Sequence, residues 1–129
     1  MIVLDASAAV EWLLQTSAGQ QIESRIYSRN ETLHAPQLLD LEVAQVLRRL
    51  RGQNKISNAR ATEAVDDLID LRVTRYPHAV LLPRIWQLRH NLSAYDAAYV
   101  ALAEKLGATL ITRDKAIAAA AHAVAIELF

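Results

Sequence analysis

The sequence predicts an α/β protein: a three-layer α/β/α sandwich around a short, mainly parallel sheet. Short, mostly apolar runs alternate with longer segments of helical periodicity, the pattern of a parallel sheet covered on both faces. The chain has 129 residues, 53% of them hydrophobic, enough for one core and one domain spanning 1–129. No internal repeat and no linker interrupts it.

The elements follow in order. Residues 2–4 form the first strand candidate, and 6–14 and 19–28 read as two helices. Residues 33–35 form a weak second strand ended by Pro36, which suits a first helical position. Over 37–51 the apolar residues Leu39, Val43, Val46, Leu47 and Leu50 recur at helical spacing, until Gly52-Gln53-Asn54 stops the helix. Ser57 caps a helix over 58–71 with Ala61, Val65, Leu68, Ile69 and Leu71 as its apolar positions. Residues 73–75 give a third strand. Residues 78–90 are helical, with Pro83 near the first turn or at a kink. Ser93 opens a helix through Leu106 that Gly107 ends. Residues 109–111 form a fourth strand, 115–121 an Ala-rich helix and 124–126 the last strand. Trp86 is expected in the core. Trp12, Leu13 and Leu14 are assigned either to the core or to a partner surface.

Composition narrows the function classes. Lys+Arg and Asp+Glu balance at 14 each, so contact with nucleic acid would have to come from local clustering. With no Cys, disulfides and thiolate metal sites are excluded, and a reducing, cytoplasmic setting is compatible. The four histidines, His34, His78, His90 and His122, show no zinc-ligand spacing. No secretory signal and no run of membrane-spanning length is visible.

The chemistry lies in the acids. In open parallel sheets, sites form beyond the carboxyl ends of the strands, and Asp5 and Asp114 follow two such ends. Glu42 flanks the apolar stripe of its helix. Asp96 shares a face with Val100 and Ala103 in the first turn of the Ser93 helix. Each has a plain structural reading: Asp5 and Asp114 as helix caps, Asp96 in a capping box with Ser93, Glu42 as a half-exposed side chain. Four acids aimed at one edge are harder to explain as caps alone. Two carboxylates about 5 Å apart repel by roughly 3 kcal/mol at an effective dielectric of about 20. Such a group must protonate, spread apart or recruit a cation. An all-oxygen set without His or Cys favours Mg²⁺ or Mn²⁺. The hydroxyls of Ser7 and Thr112 are placed to orient the acids or a water, or else to bond their own backbone.

The stretches "VLDASAAVEWLL", "PQLLDLEVAQVL" and "LSAYDAAYVALAEKLGATLITRD" together resemble the PIN-domain family and, within it, the VapC-type toxins of prokaryotic toxin–antitoxin pairs. The resemblance covers nearly the whole chain. It implies a compact α/β/α sandwich, a Mg²⁺- or Mn²⁺-dependent ribonuclease, homodimerisation, and inhibition by a small antitoxin whose C-terminal segment covers the active groove. On it, Asp5, Glu42 and Asp96 match the core metal acids and Asp114 the fourth. Ser7 and Thr112 match the neighbouring hydroxyl positions, and none of these six departs from the pattern. Substrate RNA would be held by "RRLRGQNK", through Arg48, Arg49, Arg51 and Lys55. The alternative for these is a solvated helix end, where cations suit the dipole.

Other classes fit less well. A receiver-type phosphoacceptor domain needs an acidic pair after the first strand, where Asp5 stands alone. A haloacid-dehalogenase-like phosphatase needs an Asp where Ser7 stands. A PIN-like module that binds RNA or protein without cutting would not need its acids intact.

Overall fold

The computed structural model describes residues 1–120 and 123–129. Five strands, β1 (Ile2–Leu4), β2 (Leu33–Pro36), β3 (Val73–Tyr76), β4 (Thr109–Thr112) and β5 (Ile126–Leu128), form one sheet in the order β3-β2-β1-β4-β5. All four pairings are parallel. Ile2, Val3, Leu4, Leu110 and Ile111 are fully buried, as apolar strands covered on both faces must be.

The helices are α1 (Ala6–Leu13), α2 (Ser17–Ser28), α3 (Leu38–Gly52), α4 (Asn58–Asp70), α5 (Leu82–Gln87), α6 (Ala94–Leu106) and α7 (Lys115–Ala120), with a 3₁₀ turn at Ala79–Leu81. Helices α1 to α4 pack on one another, while α5, α6 and the 3₁₀ turn form a second group, giving the three expected layers. Gly19 permits the close approach of α2 to α1: a Cβ there would lie 1.9 Å from the Glu11 carbonyl oxygen. Gly107 ends α6 in the left-handed region at φ 60°.

Topology fixes where function can sit. The chain leaves β1 towards β2 on one side, and β4 takes the other side, so β1 and β4 diverge at their carboxyl ends as the sheet's switch point. Helices α1 and α3 start at this edge because each follows a parallel strand. Helix α6 starts there too, because it must carry the chain back before β4 begins.

Several expectations are corrected. Pro36 ends β2 in register with Tyr76, at the strand terminus where its missing N–H is tolerated, and α3 begins two residues later. Helix α2 starts earlier than expected because the Thr16 hydroxyl caps it, accepting from Gly19 N at 3.1 Å. The predicted helix over 78–90 divides into the 3₁₀ turn and α5, with Pro83 in the first turn of α5. Its phase buries Leu81 and Ile85, leaving Trp86 67% exposed, with the Arg89 guanidinium stacked 4.4 Å from its ring. Trp12 and Leu13 are core. Helix α4 buries Ala64 and Leu68, while Ile69 stays exposed and Val65 borders on exposure. The last strand begins two residues late because 123–125 are spent returning the chain to the sheet. Ala121, expected to end the Ala-rich helix, and His122 lie outside the described residues. No helix among the described residues is long and apolar enough to cross a membrane.

Candidate active site

Leu4 pairs with Ile111, so Asp5 and Thr112 emerge side by side from the sheet. Asp5 is 3% exposed and Thr112 fully buried. The Asp5 carboxylate is braced on both oxygens. Oδ1 accepts from the Ser7 hydroxyl at 2.7 Å and from Ala8 N at 3.0 Å; Oδ2 accepts from the Thr112 hydroxyl. The two hydroxyls then accept in turn, Ser7 from Arg113 N at 3.0 Å and Thr112 from Asp114 N at 2.9 Å. They tie the end of β1 to the turn after β4. Asp5 is therefore a helix cap, the plain structural reading of this residue, and it also lines the cavity shared with the other acids. Asp114 is also a cap, its Oδ1 accepting from Ala116 N at 2.8 Å.

The helix acids are held differently. Glu42 receives one hydrogen bond, from the buried Tyr99 hydroxyl to Oε1 at 2.7 Å. The Ser93 hydroxyl accepts from Asp96 N at 3.1 Å, half of a capping box. The reciprocal half is not made, so the Asp96 carboxylate is left for the cleft.

All four acids line one cavity of about 180 Å³, with Ala6, Ser7, Val46 and Tyr99. No Lys or Arg lines it. Burial pushes Asp5 above the ordinary carboxylate range against the bonds from Thr112, Ala8 and Ser7, and the charge of Asp96 adds to the rise. Glu42 is raised first by burial and then by Asp96 and Asp5, with the Tyr99 bond opposing. Asp96 is raised by burial and by Asp114. Tyr99, buried beside Glu42, is pushed far up and stays a neutral donor.

The group is looser than a finished cage: among the described residues no three His, Asp or Glu side chains are drawn together into a ligand set. The donor chemistry still fits a divalent cation. Four carboxylates share one small cavity with no cationic side chain to balance them, and Glu42 and Asp96 keep most of their lone pairs free. Mg²⁺ retains several waters and needs few direct protein ligands. The residues that could hold such an ion are Asp5, Glu42, Asp96 and Asp114.

Tyr99 was not among the expected site residues. It stands three positions after Asp96, on the same helix face, and a polar-tipped aromatic at that spacing was the available signal. Arg48, Arg49 and Lys55 are exposed. Arg51 is engaged, its guanidinium donating to Asn54 and Asn58. Arg49 lies three residues after the cavity-lining Val46, on the face of α3 that carries Glu42. Arg113 pairs with Glu11 at 3.5 Å.

The PIN domain family model matches residues 2–123. Ribonuclease VapC9 of Mycobacterium tuberculosis is 46% identical over 114 residues, covering 88% of this chain and 86% of its own. Ribonuclease VapC12 of the same organism is 43% identical over 129 residues, covering 99% and 98%. Among solved structures, VapBC2 from Rickettsia felis, bound to a DNA fragment from its promoter, superposes with a TM-score of 0.72 at 14% identity, covering 100% of this chain and 99% of that one.

Proposed function

The chain belongs to the PIN-domain family, and from that premise we propose that its 129 residues act as one nuclease domain: a divalent-metal-dependent ribonuclease of the VapC type, the toxin of a toxin–antitoxin pair. The observation that carries the reading is one cavity lined by Asp5, Glu42, Asp96 and Asp114, delivered by four separate segments. The names of the two ribonuclease relatives support RNA as substrate; an antitoxin as partner belongs to the VapC-type reading itself. Exposed Leu41 and Ile69, on α3 and α4, supply apolar surface that a second copy would cover.

Held by Asp5, Glu42, Asp96 and Asp114, a Mg²⁺ or Mn²⁺ would supply the charge to neutralise a scissile phosphate and to lower the pKa of a water. The chain's own residues do the positioning. Ser7 and Thr112 fix both oxygens of Asp5, Tyr99 fixes one oxygen of Glu42, and Asp96 and Asp114 complete the acidic lining. A route through the RNA 2′-OH wants an imidazole or amine base, and neither lines the cavity among the described residues. Hydrolysis by water fits the lining instead: the bond between phosphorus and the 3′-oxygen would break, leaving a 5′-phosphate on one fragment and a 3′-hydroxyl on the other. Arg48, Arg49, Arg51 and Lys55 would hold the strand beyond the cleft.

The test is incubation of the purified protein with total RNA in Mn²⁺, Mg²⁺ or chelator, with cleavage ends mapped by sequencing. Internal cuts bearing 5′-phosphates are expected only with a divalent ion. Asp96→Asn should reduce cleavage by at least about a hundredfold, since even the partners that orient metal ligands are worth about 10- to 100-fold. Cleavage that survives chelation, or a fully active Asp96→Asn protein, would overturn the reading.

A further inference from the structure

Helix α3 carries Glu42, yet its start has no local cap: Gln37 occupies the N-cap position and its side chain bonds no backbone amide. Uncapped helix N-termini leave their first N–H groups without partners. Here the partners come from around β3. Gln37 N donates to the Tyr76 carbonyl at 2.9 Å, and Leu38 N donates to Nε2 of His78 at 3.0 Å, across 40 residues of sequence. Because Nε2 accepts, the ring proton must sit on Nδ1. Leu38 is the residue whose carbonyl receives the Glu42 amide in the i→i−4 ladder. The residue whose amide His78 anchors is thus one turn upstream of Glu42. His78 does not line the acidic cavity.

We propose that His78 is a positioning residue for Glu42: its imidazole, two residues past the end of β3, caps α3 and sets where the helix, and with it the carboxylate, begins. Tyr99 holds the same residue at its side chain, so Glu42 is located from two directions by groups distant in sequence. The proposal rests on the nuclease reading for its catalytic consequence but not for the capping itself.

The experiment compares wild type, His78→Ala and His78→Gln, the last keeping an acceptor of similar reach. Amide hydrogen exchange reads the cap without reference to activity. In His78→Ala, the Leu38 and Leu39 amides should exchange roughly 5- to 30-fold faster, the factor that one or two kcal/mol of lost capping implies. The amides of β1 and β4 should keep their protection. Cleavage in Mn²⁺ should show kcat lowered about tenfold and a higher Mn²⁺ midpoint, with KM for RNA unchanged. His78→Gln should restore both readouts. Unchanged exchange in His78→Ala would overturn the proposal, as would raised exchange with normal cleavage, or failure of His78→Gln to restore. If His78→Ala loses protection throughout, His78→Gln must still match wild type in exchange and Mn²⁺ midpoint, and a shortfall in either refutes the assignment. An inactive wild type would instead count against the nuclease reading, leaving the exchange pattern to judge the cap.

Discussion

Asp5 leaves the end of its strand with both oxygens engaged, and Asp114, beyond the neighbouring strand, holds two backbone amides on one oxygen, whereas the carboxylates of Glu42 and Asp96, early in two helices, accept a single hydrogen bond between them among the described residues. The strand pair is wired into the fold: each caps a helix, and two hydroxyls join one strand end to the other. The helix pair is aimed but lightly held, by one tyrosine on Glu42 and a half-made capping box at Asp96. The division has a physical cause. Carboxylates packed against one another repel, so something other than their mutual arrangement must fix at least some of them. Backbone amides and hydroxyls do this at the strand ends, where they are close at hand. The helix acids keep the freedom that the proposed cation would require.

That contrast breaks first if the two kinds of brace are interchangeable. Thr112→Val keeps the shape of the side chain but strips the hydrogen bond from Asp5 Oδ2 and the acceptor from Asp114 N. Leaving such groups unpaired in a buried setting costs about 1–3 kcal/mol, and cleavage should fall about 10- to 100-fold. Tyr99→Phe removes the donor to Glu42 with little change of shape, and should lower cleavage towards the small end of that range while lowering Tm less than Thr112→Val does. Chemical denaturation and single-turnover cleavage on the two variants measure both. Equal losses of stability would show that the strand and helix acids are held alike.

A smaller effect is read out by pH. The folded-state pKa of Asp96 lies above its ordinary value of 3.8, chiefly through burial and then through Asp114. A raised carboxylate is penalised when ionised in the folded state. Below the ordinary value it is protonated in both folded and unfolded chains and the penalty is absent. The penalty grows as pH rises through the interval above that value. Metal-free Asp96→Asn should therefore gain stability relative to metal-free wild type as pH is raised from about 4 to about 7. Added Mn²⁺ at neutral pH should reverse the gain by stabilising wild type alone. Denaturation midpoints across that range check it, and a constant difference would remove Asp96 from the set of electrostatically strained acids.

How much of this was legible follows the same division. Asp5, Ser7, Thr112 and Asp114 were readable because strand ends are marked by short apolar runs, and the parallel topology places those ends together. Glu42 and Asp96 were readable from helical spacing. The residues that hold Glu42 were not. Tyr99 reads as one more buried aromatic, and its bond to Glu42 spans 57 residues. His78 reaches α3 from beyond the next strand, a pairing that no local pattern announces. Pro36 suited either a strand end or a helix start, and only the register with Tyr76 decided it. Trp86 was misplaced because a 3₁₀ turn ahead of α5 reset the helical phase.

The smallest effect concerns the basic end of α3, about one turn beyond the cavity-lining Val46. Arg49 is exposed and in phase with Glu42 and Val46, so it is placed to meet a phosphate beyond the cavity. Arg51 is half-buried and its guanidinium is occupied by Asn54 and Asn58. If the strand runs along this face, Arg49→Gln should weaken RNA binding a few-fold and reduce the slope of log K against log salt by about 1, the signature of one lost phosphate contact. Arg51→Gln should change the slope less, because its charge is already partnered by amide oxygens and angled away from the Glu42 face. Binding titrations at several salt concentrations, made with the cleavage-deficient Asp96→Asn protein so that the RNA survives, give both slopes. Equal slopes would mean that the basic end acts as a diffuse field. A larger loss at Arg51 would mean that the RNA leaves the cleft across α4 instead of along α3.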